Sequence, residues 1–150
     1  MKKDKKIIDK IKYDYEILNL LDKAGIEAYT YVYPCEALDK VVKALLNVVD
    51  GQPEVIERDK FIKIVRVRAQ GQEPIFKIFN QFRNRKVLAT VRKHLLKYLG
   101  DNEITLYLHK QSAFAGVCSL CDVGESPLGE IVVKIRVDNP RDVIYWLTRF

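Results

Sequence analysis

Between residues 60 and 100 stand eleven cations, Lys60, Lys63, Arg66, Arg68, Lys77, Arg83, Arg85, Lys86, Arg92, Lys93 and Lys97, against the single acid Glu73. The segment therefore carries +10, while 15 basic and 19 acidic residues leave −4 elsewhere, for a formal total of +6. A solvated face mixes signs to limit self-repulsion, and this segment does not. Clustered lysines and arginines neutralise phosphates and release their counterions, so the chemistry they point to is nucleic-acid backbone binding. The competing readings are a plain charged solvent face, a basic amphipathic helix on a membrane, and a surface that docks an acidic protein. The apolar side of 85–99 has no Trp and is needed for a core, which argues against a membrane partner.

The remaining reactive side chains do not assemble. Cys118 and Cys121 form a lone C-x-x-C, whereas a structural zinc site takes four ligands. Cys35, His94 and His109 stand at no motif spacing from the pair, so the cysteines read as buried structural residues and no metal is expected. The two histidines read as hydrogen-bonded or phosphate-side groups. Ser112, Ser119 and Ser126 have no neighbouring base, and no glycine-rich phosphate loop or nucleophile elbow occurs. The expectation is no catalytic residue and no cofactor; an enzyme acting on a nucleotide in the basic site is the weakest alternative.

The elements that would carry the cations follow from periodicity. At 150 residues and 48% hydrophobic, the chain fits one domain with an ample core. Residues 4–24 read as a helix with Ile8, Ile11, Tyr15 and Leu18 at 3-4-3 spacing, 26–33 as a strand, and 36–49 as a packed helix. Residues 54–69 are strand-like but broken at Glu57–Lys60. A helical pair covers 74–83 and 85–99, strand-like runs follow at 103–110, 114–121 and 130–138, and Asn139-Pro140 opens a terminal helix. The fold class is α+β: helices layered on one face of a mostly antiparallel sheet. On the helix 85–99, Arg85, Lys86, Arg92, Lys93 and Lys97 share one arc and Val87, Leu88, Val91, Leu95, Tyr98 and Leu99 the other, with Leu96 the exception.

Alternation places Ile26, Ala28, Thr30 and Val32 opposite Glu27, Tyr29, Tyr31 and Tyr33, and Val65 and Val67 opposite Arg66 and Arg68. The same logic puts Tyr107 and His109, with Lys134 and Arg136, on the second sheet face. Aromatics interleaved with cations make a stacking platform for single-stranded bases. The alternative is that the N-terminal helix covers that face to bury its stripe; a dimer is the other way to bury it. No run reaches the length of a membrane span and the N-terminus lacks a signal-peptide core, so a cytoplasmic chain is expected.

The run Leu108–Gly116 contains Lys110, Gln111, Ala113, Phe114 and Gly116 in the order K-Q-x-A-[YF]-x-G. It resembles the signature of an archaeal family of small RNA-binding proteins predicted to be exosome subunits. That family is similar in fold to the large-subunit ribosomal protein that contacts 5S RNA. The resemblance covers roughly residues 26–138; residues 1–24 and 139–150 lie outside it, and Arg58-Asp59-Lys60 departs from the Gly-His turn of the family. It implies an RNA partner and an RNA-degrading complex. With the charge pattern it nominates Lys63, Arg66, Arg68, Lys77, Arg83, Arg85, Lys86, Arg92, Lys93, Lys97, Lys110, Gln111 and Phe114 as RNA contacts.

Overall fold

Strict alternation builds the centre of the protein. In β1 (Gly25–Val32) every second residue is buried, and Ile26, Ala28, Thr30 and Val32 are all at most 5% exposed. The computed structural model describes the backbone of residues 2–149 and the side chains of residues 4–149. On one side β1 pairs with β3 (Lys63–Gln70), which in turn pairs with β2 (Glu54–Glu57). On the other side it pairs with β5 (Ile131–Arg136), which pairs with β4 (Glu103–Leu108). All four pairings are antiparallel, giving one sheet in the order β2-β3-β1-β5-β4. The break foreseen at Glu57–Lys60 is the turn of the β2–β3 hairpin, where the Asp59 carboxylate accepts the N–H groups of Phe61 and Ile62.

The aliphatic side of that sheet is covered by α1 (Lys2–Asp22), α2 (Leu38–Val48), α3 (Gln72–Asn84), α4 (Leu88–Lys97), α5 (Lys110–Phe114) and α6 (Pro140–Leu147). Ile17, Leu21, Leu45, Ile75, Phe82, Leu95, Val143 and Ile144 join Val65, Val67, Leu106, Val133 and Ile135 in one apolar cluster. Each fully buried aliphatic side chain there stabilises the fold by about 1.5–3 kcal/mol. The α+β reading holds. Among the described residues no helix is long and apolar enough to cross a membrane.

Three local expectations are corrected. The buried side of α1 is Ile17 and Leu21; of the 3-4-3 stripe only Leu18 packs against the core, while Ile8, Ile11 and Tyr15 are about half exposed or more. Its last turns pack on α3 and α6, where the Trp146 indole donates to Asp14 at 2.8 Å. The helix therefore does not lie over the tyrosines.

The helix expected over 85–99 begins only at Leu88. Lys86 is left-handed, with φ +58°, so Arg85 and Lys86 belong to the α3–α4 turn and not to the basic arc. The run 114–121 is no strand: Lys110–Phe114 is helical, and only an isolated bridge joins Leu108 to Leu120. Asn47 of α2 holds this short helix by donating to the carbonyls of Ala113 and Phe114 at 2.9 and 3.3 Å. Gly116 leaves it at φ +89°, a left-handed angle that glycine adopts without a Cβ penalty.

Candidate nucleic-acid interface

The uncovered side of the sheet is ordered in rows by strand register. Glu54, Arg66, Tyr29, Val132 and Tyr107 run across it in one row. Arg68, Glu27, Lys134 and Thr105 form the next, and Gly25, Arg136 and Glu103 the one beyond. Of the second-face residues expected from alternation, Tyr29, Tyr31, Tyr107, Arg66, Arg68, Lys134 and Arg136 thus share the face, whereas Tyr33 and His109 lie beyond the ends of β1 and β4. Tyr29, Tyr31 and Tyr107 are half-buried by their neighbours, and burial holds the Tyr29 and Tyr107 hydroxyls above the usual phenol range. The Tyr29 and Tyr107 hydroxyls are therefore neutral at physiological pH.

The cations of this face are only partly neutralised. Arg66 donates to Glu54 at 2.6 Å, which lowers the pKa of that carboxyl, but its Nε–H is buried without a protein partner. Lys134 and Arg136 share the single carboxylate of Glu103 at 3.7 and 3.8 Å. Arg68 is exposed and makes no ion pair among the described residues. Arg68, Lys134 and Arg136 border a shallow depression over Gly25, Ile26 and Glu27. A Cβ on Gly25 would meet nothing within 4 Å, so the floor there is open.

The other nominated cations lie on the helical side, so the eleven do not form one patch. Most are engaged. Arg83 donates to the carbonyls of Arg149 and Leu147 at 2.9 and 3.1 Å, and Arg92 to the Thr148 hydroxyl and carbonyl at 2.9 and 3.0 Å. Both guanidiniums close the C-terminal end of α6, where carbonyls lack helical partners and the dipole is negative. Arg85 bonds the carbonyl of Cys118 and stacks on the Phe82 ring, fixing the loop after α5 to α3. Lys77 pairs with Asp50 at 3.0 Å and Lys97 with Asp122 at 3.2 Å. Lys63, Lys86 and Lys93 are exposed and have no ion pair among the described residues.

The signature residues divide in the same way. Lys110 is 5% exposed, and its ammonium donates to the carbonyls of Tyr31 and Leu128 and to both Glu36 oxygens, all within 3.2 Å. Burial lowers its pKa while the Glu36 carboxylate opposes that shift. The expected RNA-contacting lysine is instead a strut joining β1, the turn before α2 and the loop before β5, and its three ammonium donors are all engaged. Gln111 is exposed; Phe114 is 39% exposed with Lys43 lying 5.0 Å from its ring centre.

Cys118 and Cys121 are buried outside any strand, and burial pushes the Cys121 thiol up to about 11. Cys35 is exposed. Among the described residues no three His, Cys, Asp or Glu side chains gather as a metal site. His94 is buried against the edge of β4 and His109 precedes α5.

A five-stranded antiparallel sheet with six helices, presenting arginines and tyrosines on its open face, makes the chain an α+β protein. A family model described as RNA binding matches residues 25–138, and the chain belongs to that family. It is 34% identical over 123 residues to a UPF0201 protein of Thermococcus kodakarensis, covering 81% of this chain and 87% of that one. A UPF0201 protein of Saccharolobus islandicus is 35% identical over 117 residues, covering 77% and 81% of the two chains. The crystal structure of a UPF0201 protein from Methanococcus jannaschii superposes with a TM-score of 0.72 at 25% identity, covering 84% of this chain and 93% of that chain. A DUF54 protein from Methanothermobacter thermautotrophicus gives 0.60 at 25% identity, covering 83% and 91%.

Proposed function

We propose that this protein binds single-stranded RNA on the open face of its sheet and performs no catalysis. The observation that carries this is the register that sets Tyr29 beside Arg66 on a face that α1 leaves uncovered. Arg68, Lys134 and Arg136 supply phosphate contacts around the depression over Gly25, and the ring of Tyr29 stacks a base. Each stacked base is worth about 1–3 kcal/mol. The matching family description supports RNA as the partner. Membership of an RNA-degrading, exosome-type assembly in an archaeal cytoplasm is the role that the Lys110–Gly116 signature supports.

A second reading rests on Lys86 and Lys93, two exposed cations of the helical side with no ion pair among the described residues. There an acidic partner protein would dock. Salt weakens both kinds of binding, so competition separates them. A labelled single-stranded RNA is bound first, and then an acidic polypeptide such as poly-glutamate is added. The reading predicts that excess unlabelled RNA releases the label and poly-glutamate does not. Release by poly-glutamate at equal charge concentration would favour the protein-docking alternative.

A further inference from the structure

β2 lies at the edge of the sheet, and its outer side has no strand against it. All four of its residues are exposed, including Val55 at 47% and Ile56 at 37%. Its hydrogen-bonding phase follows from the hairpin. Arg58 donates its N–H to the carbonyl of Ile62 at 3.0 Å, so Arg58–Ile62 is a hydrogen-bonded pair. Such pairs alternate along an antiparallel ladder, so Ile56–Ile64 and Glu54–Arg66 are bonded pairs too. Val55 and Glu57 therefore turn both their N–H and C=O groups outward, away from β3. An edge of this kind is a template for another strand.

We infer that the occupant is β2 of a second copy, paired antiparallel about a two-fold axis at Ile56. That register sets outward-facing Val55 opposite outward-facing Glu57 of the second copy, satisfying the free groups of both. It also sets Ile56 opposite Ile56 and Glu54 opposite Arg58 in the closer, non-bonded positions, where Cα atoms approach to about 4.5 Å. Opposite charges thus meet twice, once on each side of an apolar centre. Pro53, which has no N–H, then faces Asp59 and ends the ladder at both sides. The Arg58 guanidinium lies 4.9 Å above the Tyr31 ring, on the open face that Glu54 also occupies, so the two are on the correct side to meet. The product is one ten-stranded sheet with both tyrosine faces on the same side. This inference does not depend on what those faces bind.

Sedimentation equilibrium of the full chain over a wide concentration range tests it. The mass should rise from 17.4 kDa towards twice that value. Val55→Pro removes an outward N–H and no hairpin bond, and should leave the chain monomeric with an unchanged far-UV circular dichroism spectrum. Arg58→Glu sets carboxylates against each other and should weaken association about tenfold or more, and the exchange Glu54→Arg with Arg58→Glu should restore most of that loss. A wild-type chain that stays monomeric up to millimolar concentration overturns the inference. So does a dimer that Val55→Pro and Arg58→Glu leave intact, which would place the interface elsewhere, the exposed Ile8 and Ile11 of α1 being the first surface to try.

Discussion

The backbone N–H of Tyr107 donates across 3.3 Å to Nε2 of His94, so a helix side chain caps the outer edge of β4. Edge strands are exposed to unwanted pairing, and here the imidazole, with the Cys121 N–H bonded to the Tyr107 carbonyl, closes that edge. The contact requires a neutral ring, because a protonated imidazole has no acceptor. Burial lowers the His94 pKa from its usual 6.5. In the window between the lowered value and 6.5 the unfolded chain binds more protons. Stability is therefore full above pH 6.5 and falls as pH drops through the folded-state pKa, with a slope of at most about 1.4 kcal/mol per pH unit. Urea unfolding between pH 5 and 8 should show this fall in the parent and a flatter profile in His94→Gln.

The arginines of the helical side hold the fold. Arg92→Ala leaves the Thr148 carbonyl and hydroxyl short of a donor at the end of α6, and should cost about 1–3 kcal/mol of unfolding free energy. Reversing Arg85, Arg92 and Lys93 together should destabilise the protein, since two of the three are bonded to backbone carbonyls. Equal thermal midpoints for parent and Arg92→Ala would remove the capping role.

Lys110 and Glu36 are 7% and 10% exposed at their side chains and lie 3.1 Å apart. Lys110→Met strands a buried carboxylate and should cost about 3–5 kcal/mol. Adding Glu36→Gln should recover part of that cost, because the stranded charge is gone. Additive losses in a double-mutant cycle would show that the two side chains do not act as a pair.

α1 should behave as two halves. Leu21→Ala removes fully buried volume and should cost about 2–5 kcal/mol. Ile8→Ser and Ile11→Ser, on the projecting half, should stay within about 0.5 kcal/mol at concentrations where the chain is monomeric. A large loss from the serine variants would mean that this stripe is covered within one chain.

Where local periodicity decides the outcome, the fold is legible from residues alone. The alternation Ile26–Val32 dictates which face of β1 is buried, and it places Tyr29 with Arg66 before any contact is known. Asn139-Pro140 likewise announces α6. What stays hidden depends on partners distant in sequence. α1 carries two apolar stripes, and only the packing of α3 and α6 selects Ile17 and Leu21. Five residues are too few to display a helical period, so α5 depends on Asn47, 66 residues away from Ala113. The roles of Arg83 and Arg92 are of the same kind, since a run of cations looks alike whether it caps a helix 56 residues on or faces solvent. A charge count therefore does not separate cations that cap backbone carbonyls from cations that face solvent.

The central claim is that the open face, and not the helical side, holds RNA. Fluorescence anisotropy of a short unstructured RNA measures it directly, with Arg68→Glu/Lys134→Glu compared against Lys86→Glu/Lys93→Glu, each reversing two unburied cations. The open-face pair should lose about tenfold or more in affinity and lower the log–log salt slope by about 0.7 for each phosphate contact removed. Tyr29→Ala should add a loss of about 1–3 kcal/mol that salt does not relieve. The helical-side pair should bind within about threefold of the parent, the residue of long-range attraction. A helical-side variant that loses binding while the open-face variant keeps it would contradict the account.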